Sequence, residues 1–218
     1  MEDELDIEEG QRAEAIKSFL KRYRMPLIIL AVGVVLGVAA GYGYVNWRHS
    51  QMLSASQQYS SAMAALEEGR NADAGAALER LITDYSGTPY AAFGRVFRAR
   101  LLHAEGQSDQ ALTVLAPVAE GGGGPMEARH IAVEERARIR WDRQGPADAL
   151  GELETIADVA YLPSYFLLKG DLLAALERPE EARAAFQQVQ KKAGAGPLQE
   201  AVKARLDRLP AADDGAGG

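Results

Sequence analysis

Apolar and polar positions divide the chain into two unlike stretches. From Pro26 to Val45 it reads PLIILAVGVVLGVAAGYGYV, twenty residues without a charge. Beyond residue 50, Ala and Leu recur at helical spacing among charged residues, and no stretch alternates as a strand would. The first pattern predicts a helix apolar all round, spanning about 30 Å at 1.5 Å per residue, the thickness of a bilayer's hydrocarbon core. Ten of its residues are Leu, Ile or Val. Each favours insertion by roughly 0.3 to 0.6 kcal/mol, together about 3 to 6. Pro26 suits the first turn of that helix, where an N–H is spare. Tyr42, Tyr44 and Trp47 stand at its far end, where amphipathic rings favour the membrane interface.

The second pattern predicts paired helices, over about 47–69, 72–84, 89–105, 108–120, 125–143, 146–158, 163–177, 179–193 and 197–209. Pro89, Pro125, Pro146, Pro163, Pro179 and Pro197 each open an apolar-periodic run, as a proline at the first helical position does. Gly69, Gly87, Gly106, Gly145 and Gly194 lie in the turns. Pro117 is expected to bend the fourth helix or end it early. The second helix of each pair carries Ala and, four residues on, a large apolar residue: Ala74 and Leu78, Ala111 and Leu115, Ala149 and Leu153, Ala182 and Phe186. Twelve residues upstream of each Ala lies another small residue, Ala62, Ala99, Ala137 or Gly170. Two helices approach closest where neither has bulk, and the large residue fills the adjacent gap. A period near 34 in helix-turn-helix units is the tetratricopeptide signature, clearest over Phe166 to Val189. The expected fold is all-α: a single N-terminal transmembrane helix followed by a tetratricopeptide-like helical-hairpin solenoid.

Charge orients the span. Arg12, Lys17, Lys21, Arg22 and Arg24 precede it closely, and only Arg48 follows closely. The positive-inside rule places residues 1–25 in the cytoplasm and those from 46 onward across the membrane. A cleaved signal peptide would have a shorter apolar run and a short basic start, whereas here seven acids precede the span. The expected parts are a cytoplasmic segment at 1–25, a transmembrane helix at 26–45, an exported repeat domain at 46–210 and a disordered tail at 211–218. Ile16, Phe19, Leu20 and Tyr23 mark a short amphipathic helix leading into the bilayer, and the acidic first ten residues read as disordered.

Composition narrows the chemistry. Cysteine is absent, which removes disulfides and thiol nucleophiles. The net charge of −7 makes the chain a poor holder of nucleic-acid phosphates. No catalytic or nucleotide-binding motif occurs, and the three histidines lie scattered, so no enzyme activity, cofactor or metal is expected. Gly121–Gly124 reads as a loop between repeats. Two sets of binding residues stand out. Gly33, Gly37 and Gly41, spaced by four, form a stripe where another membrane helix could approach. Arg98, Arg136 and Lys169 immediately precede the small residue of their units, and Arg100 and Arg138 follow it, so each set should form a ladder. Arg100, His103, Arg138 and Trp141 are the candidates for a polypeptide-binding groove. The plain alternative is solvated surface with local pairs such as Glu134 to Arg138.

The order of parts resembles a known family. An AIKSFLKRYR helix, a glycine-rich anchor, Trp47, the run Ala55-Ser56-Gln57-Gln58-Tyr59 and about four degenerate repeats are similar to the YfgM family, an ancillary subunit of the bacterial Sec translocon. The resemblance covers residues 11–209; Gly121–Gly124 and the acidic start lie outside its pattern. It implies a single-pass inner-membrane protein beside SecYEG, with the repeat domain in the periplasm. It also implies association with the membrane-anchored chaperone PpiD and with translocating polypeptides. A homo-oligomeric envelope scaffold unrelated to secretion is the other expectation.

Overall fold

The computed structural model describes residues 2–157, 162–192 and 196–210, with side chains from Met25 onward except Leu27. Gly194, the tail 211–218, the ends of the expected helices at 158 and 193, and the side chains of the Ile16-to-Tyr23 stripe lie outside the described residues. Among those described, every element is an α-helix: α1 Glu2–Glu67, α2 Asn71–Asp84, α3 Pro89–Ala104, α4 Ser108–Ala119, α5 Met126–Gln144, α6 Pro146–Glu154, α7 Pro163–Ala175, α8 Pro179–Lys192 and α9 Pro197–Leu206. The chain divides into two compact units, Met1–Gln51 and Met52–Gly218.

The start of the chain differs from expectation. The acidic start, the lead-in helix, the apolar stretch and the first repeat helix form one helix, with Pro26 inside it rather than opening it. A proline there removes one backbone hydrogen bond and crowds one carbonyl. No glycine or proline follows Val45 until Gly69, so nothing stops the helix sooner. In the first unit Ile29, Leu36 and Val38 are exposed. Among the described residues one helix is long and apolar enough to cross a membrane.

In the second unit the small-and-large register makes the core. Ala62, Ala74, Leu78, Ala99, Ala111, Leu115, Ala137, Ala149, Leu153, Ala182 and Phe186 are all buried. Full burial of one such Leu contributes about 1.5 to 3 kcal/mol. One apolar cluster joins Ala55, Ala62 and Ala65 of α1 to α2 and Leu101 of α3. A second runs from Ala92 of α3 to Val202 of α9.

The large residue lies sixteen positions after the small one in every unit: Ala62 and Leu78, Ala99 and Leu115, Ala137 and Leu153, Gly170 and Phe186. The fourth unit exchanges both members. A Cβ built on Gly170 would lie 2.6 Å from Cδ1 of Phe186, so the larger ring takes the volume that the missing methyl leaves.

The turns share a register too. Gly69, Gly106 and Glu177 follow their small residue by seven, with φ of 71°, 78° and 58°. After each, an amide donates back five residues: Arg70 to Ala65, Gln107 to Leu102, Arg178 to Leu173. This is the left-handed helix stop that glycine adopts most readily. In the third unit the five-back amide keeps the register, Gly145 to Arg140, but the positive φ of 101° falls on Gly145 itself. Pro89, Pro146, Pro163, Pro179 and Pro197 open their helices, and Pro125 caps α5 one residue ahead of it. Pro117 does not stop α4, which runs two residues past it before the Gly122 amide bonds the Pro117 carbonyl.

Candidate functional site

The first helices of the repeat pairs, the end of α1 with α3, α5 and α7, carry most of the conspicuous side chains. Where α1 meets α3, Tyr59 lies between Tyr90 and Phe97, with ring centroids 5.7 and 6.1 Å apart. Burial raises the Tyr59 phenol above its ordinary range, and nearby Arg100 opposes this. The Arg100 guanidinium sits 5.4 Å from the Phe97 ring centroid. It also donates to Glu135 Oε1 across to α5, at 2.5 Å.

Between α3 and α5 the contacts continue down the helices. His103 bridges Ser108 Oγ through Nδ1, at 2.9 Å, and Asp142 Oδ2 through Nε2, at 3.0 Å. Arg143 of α5 pairs with Asp109 of α4. Arg138 stands 3.9 Å from Glu135, the same carboxylate that holds Arg100. Arg100, His103 and Arg138 are thus brought together on one seam through the acids of α5. Trp141 is not part of it. It packs half-buried against the core and faces a separate hollow with Asp171, Ala174 and Phe186.

The other basic set lies at unit boundaries. Arg98 pairs with Glu79 of α2 at 3.5 Å and Lys169 with Glu154 of α6 at 3.0 Å. Glu79 and Glu154 each follow the second-helix Ala by five, so the two pairs are equivalent rungs. The unit between has Ala116 at that position. Arg136 of the third unit, which would meet that position, instead reaches Glu152 of its own hairpin at 3.1 Å and Glu120 beyond α4 at 3.7 Å. Partly buried pairs of this kind fix how one hairpin seats on the next more than they add stability.

The sequence reading misplaced Glu134 and passed over His130. Glu134 does not pair with Arg138; it is buried and accepts from Ser164 Oγ of α7 at 2.8 Å. Burial pushes its carboxyl above the usual carboxylate range, while the Ser164 hydroxyl and Arg138 pull it back. Helical spacing allows Glu134 either neighbour, and only the position of α7 decides. His130, one turn earlier and fully buried, is held below the ordinary histidine range by burial and then by Arg129, against Glu127. Among the described residues no three His, Asp or Glu side chains stand together as a metal site. Around Gly33, Gly37 and Gly41 an added methyl would meet nothing within 4 Å.

This arrangement offers a ridged helical surface with aromatic, cationic and anionic positions in fixed order, suited to contact with another polypeptide. The sequence matches the profile of the tetratricopeptide repeat-like domain over residues 17–211. No curated protein matches it. Among solved structures it is similar to a tetratricopeptide repeat protein from Parabacteroides merdae, with a TM-score of 0.53, 14% identity and 71% of this chain covered. The chain spans 59% of that protein's length. It is also similar to nearly identical TPR-like repeats from Podosopora anserina, described as kinesin light chain-like, with a TM-score of 0.53, 19% identity and coverage of 70% and 83% of the two chains. At these identities the likeness is one of fold.

Proposed function

The chain belongs to the tetratricopeptide repeat-like domain family, and from that premise we propose that it is a membrane-tethered, non-catalytic adaptor serving protein export. One observation carries the reading: a single chain joins an exposed apolar helical stretch to a stack of helical hairpins. Repeat arrays of this kind mediate contact between proteins, and a tether restricts that contact to the membrane surface. Tethering raises the effective concentration of a partner to about the millimolar range without strong individual contacts.

The finer assignment rests on the sequence. The anchor, Trp47, Ala55-Ser56 and Tyr59 ahead of the repeats resemble the YfgM family, which supports a place beside SecYEG and association with PpiD. The basic residues ahead of the span support a cytoplasmic residue 1 and a periplasmic repeat domain. On this reading Gly33, Gly37 and Gly41 present the face that meets the channel, and the seam of Arg100, His103 and Arg138 meets the chaperone or an emerging client.

Purification in mild detergent should recover channel subunits and the chaperone. A photoreactive residue at Gly37 should crosslink to a channel subunit. Adducts to a second copy alone would replace the translocon assignment with a self-associating envelope scaffold. A reporter active only in the periplasm, fused after Gly218, should be active; its silence would overturn the orientation.

A further inference from the structure

Trp141 belongs to a hollow of about 430 Å³ between α5, α7, α8 and α9, apart from the seam of Arg100 and Arg138. Its walls are of two kinds. Trp141, Leu209 and Pro210 supply apolar surface above the buried Phe186; Asp171, Arg205 and Arg208 supply charge. Arg205 is already committed, because its Nε donates to Asp171 Oδ1 at 2.6 Å and its Nη1 to the Ala201 carbonyl at 3.2 Å. Asp171 is thereby already paired with a cation. Arg208 is exposed and makes no ion pair among the described residues. The hollow therefore presents an apolar wall beside one uncommitted guanidinium, and a ligand complementary to it carries a carboxylate next to an apolar side chain.

We propose that this hollow binds a short acidic–apolar segment of a partner polypeptide, with the carboxylate on Arg208 and the apolar side chain against Trp141. The proposal deepens the adaptor reading, on which it rests, by naming the chemistry of one partner segment. The volume suits one or two side chains, so the hollow reads a local motif and not a folded surface. Arg offers a planar fork to a carboxylate, and Trp is a rigid anchor that loses little entropy on binding. Cationic segments are disfavoured, since Arg208 repels them and Asp171 already holds Arg205.

The test uses the full-length chain in detergent micelles and three fluorescein-labelled peptides of equal length, alternating Leu with Asp, Ser or Lys. Fluorescence anisotropy should show the Leu–Asp peptide binding tightest and the Leu–Lys peptide weakest. Arg208→Glu should weaken the Leu–Asp peptide by at least about fivefold, the scale of one exposed ion pair lost and a repulsion gained. Arg70→Glu, at an exposed arginine already paired with Glu68 and Asp73, should leave its binding unchanged. Equal affinity for the three peptides, no binding of any, or indifference to Arg208→Glu overturns the proposal. Crosslinking from Gly37 reports on the translocon assignment separately, so either can fail while the other stands.

Discussion

A methyl group added at Gly37 meets nothing within 4 Å, while one added at Gly170 runs into the ring of Phe186. Both glycines lie inside helices, and both mark a place where something bulky can come near. At Gly170 the visitor is part of the same chain. At Gly37 none of the described residues fills the space. The apolar residues around them divide in the same way. Leu36 is 64% exposed, whereas Leu78 and Leu115 are fully buried. Hydrophobicity in the first unit is directed at an environment, and in the second at other side chains.

Truncation should expose that division most strongly. Phe186→Ala removes a fully buried ring packed over a glycine, where no neighbouring methyl can move in. It should cost about 3 to 5 kcal/mol in chemical denaturation of the repeat domain, followed by helical circular dichroism in the full chain. Membrane association should be unaffected. Leu36→Arg should do the reverse. It makes insertion about 3 to 4 kcal/mol less favourable, seen as a larger fraction released by alkaline extraction, with the denaturation midpoint unchanged. If either substitution moved both measurements, the two units would not be independent in the sense drawn above.

A finer comparison sets the fourth repeat against the other three. Gly170→Ala forces the Phe186 ring to shift and should cost about 1 to 3 kcal/mol. Phe186→Leu alone leaves space over Gly170. The double variant restores the Ala-over-Leu pair of the first three units and should recover much of the loss, giving a coupling energy of roughly 1 kcal/mol in a double-mutant cycle. Additive losses would mean that the two positions are not matched in volume. Gly37→Ala serves as the contrast, with no change in the same denaturation curve.

That matched exchange was legible in the sequence, because it depends only on spacing along one chain. The small-and-large register, the hairpin pairing and the prolines that open the helices follow from helical periodicity and from which residues a helix terminus tolerates. The turn at Glu177 was not legible, since no residue there advertises a left-handed backbone; only its register with Gly69 and Gly106 places it. The continuity of α1 through Pro26 was missed for a related reason: proline disfavours a helix interior without forbidding it. The candidate surface was legible in part. Equal repeat position grouped Arg98, Arg136 and Lys169; Arg98 and Lys169 make equivalent pairs with Glu79 and Glu154 while Arg136 finds Glu152 and Glu120, because pairing depends on how the units stack and on which acids they offer. Trp141 sits three residues after Arg138 on α5, yet it packs against the core and faces the hollow by α9, whereas Arg138 faces Glu135. Neighbours along a helix need not share a groove.

The smallest expected effect concerns Glu134, whose carboxylate the repeat core draws in. Its folded-state pKa is raised, mainly by burial, so the folded protein holds this proton more tightly than the unfolded chain. The contribution to stability is then fullest at low pH. It is lost as pH rises from the ordinary value of about 4.3 through the raised one, and stays lost above it. Glu134→Gln keeps an oxygen that can accept from Ser164 but has no charge to bury. Relative to the parent, the variant should gain little near pH 4 and progressively more towards pH 7, to no more than about 1 kcal/mol, the scale of one neutral hydrogen bond. His130 works in the opposite sense, because its lowered pKa makes stability fall as pH drops through the ordinary histidine value of about 6.5. It is present in both proteins, so its effect cancels in the difference. Denaturation of the two proteins at several pH values checks the sign. A difference that stays flat from acid to neutral pH would mean that Glu134 bears no burial cost, and that Ser164 and Arg138 fully replace the water it has lost.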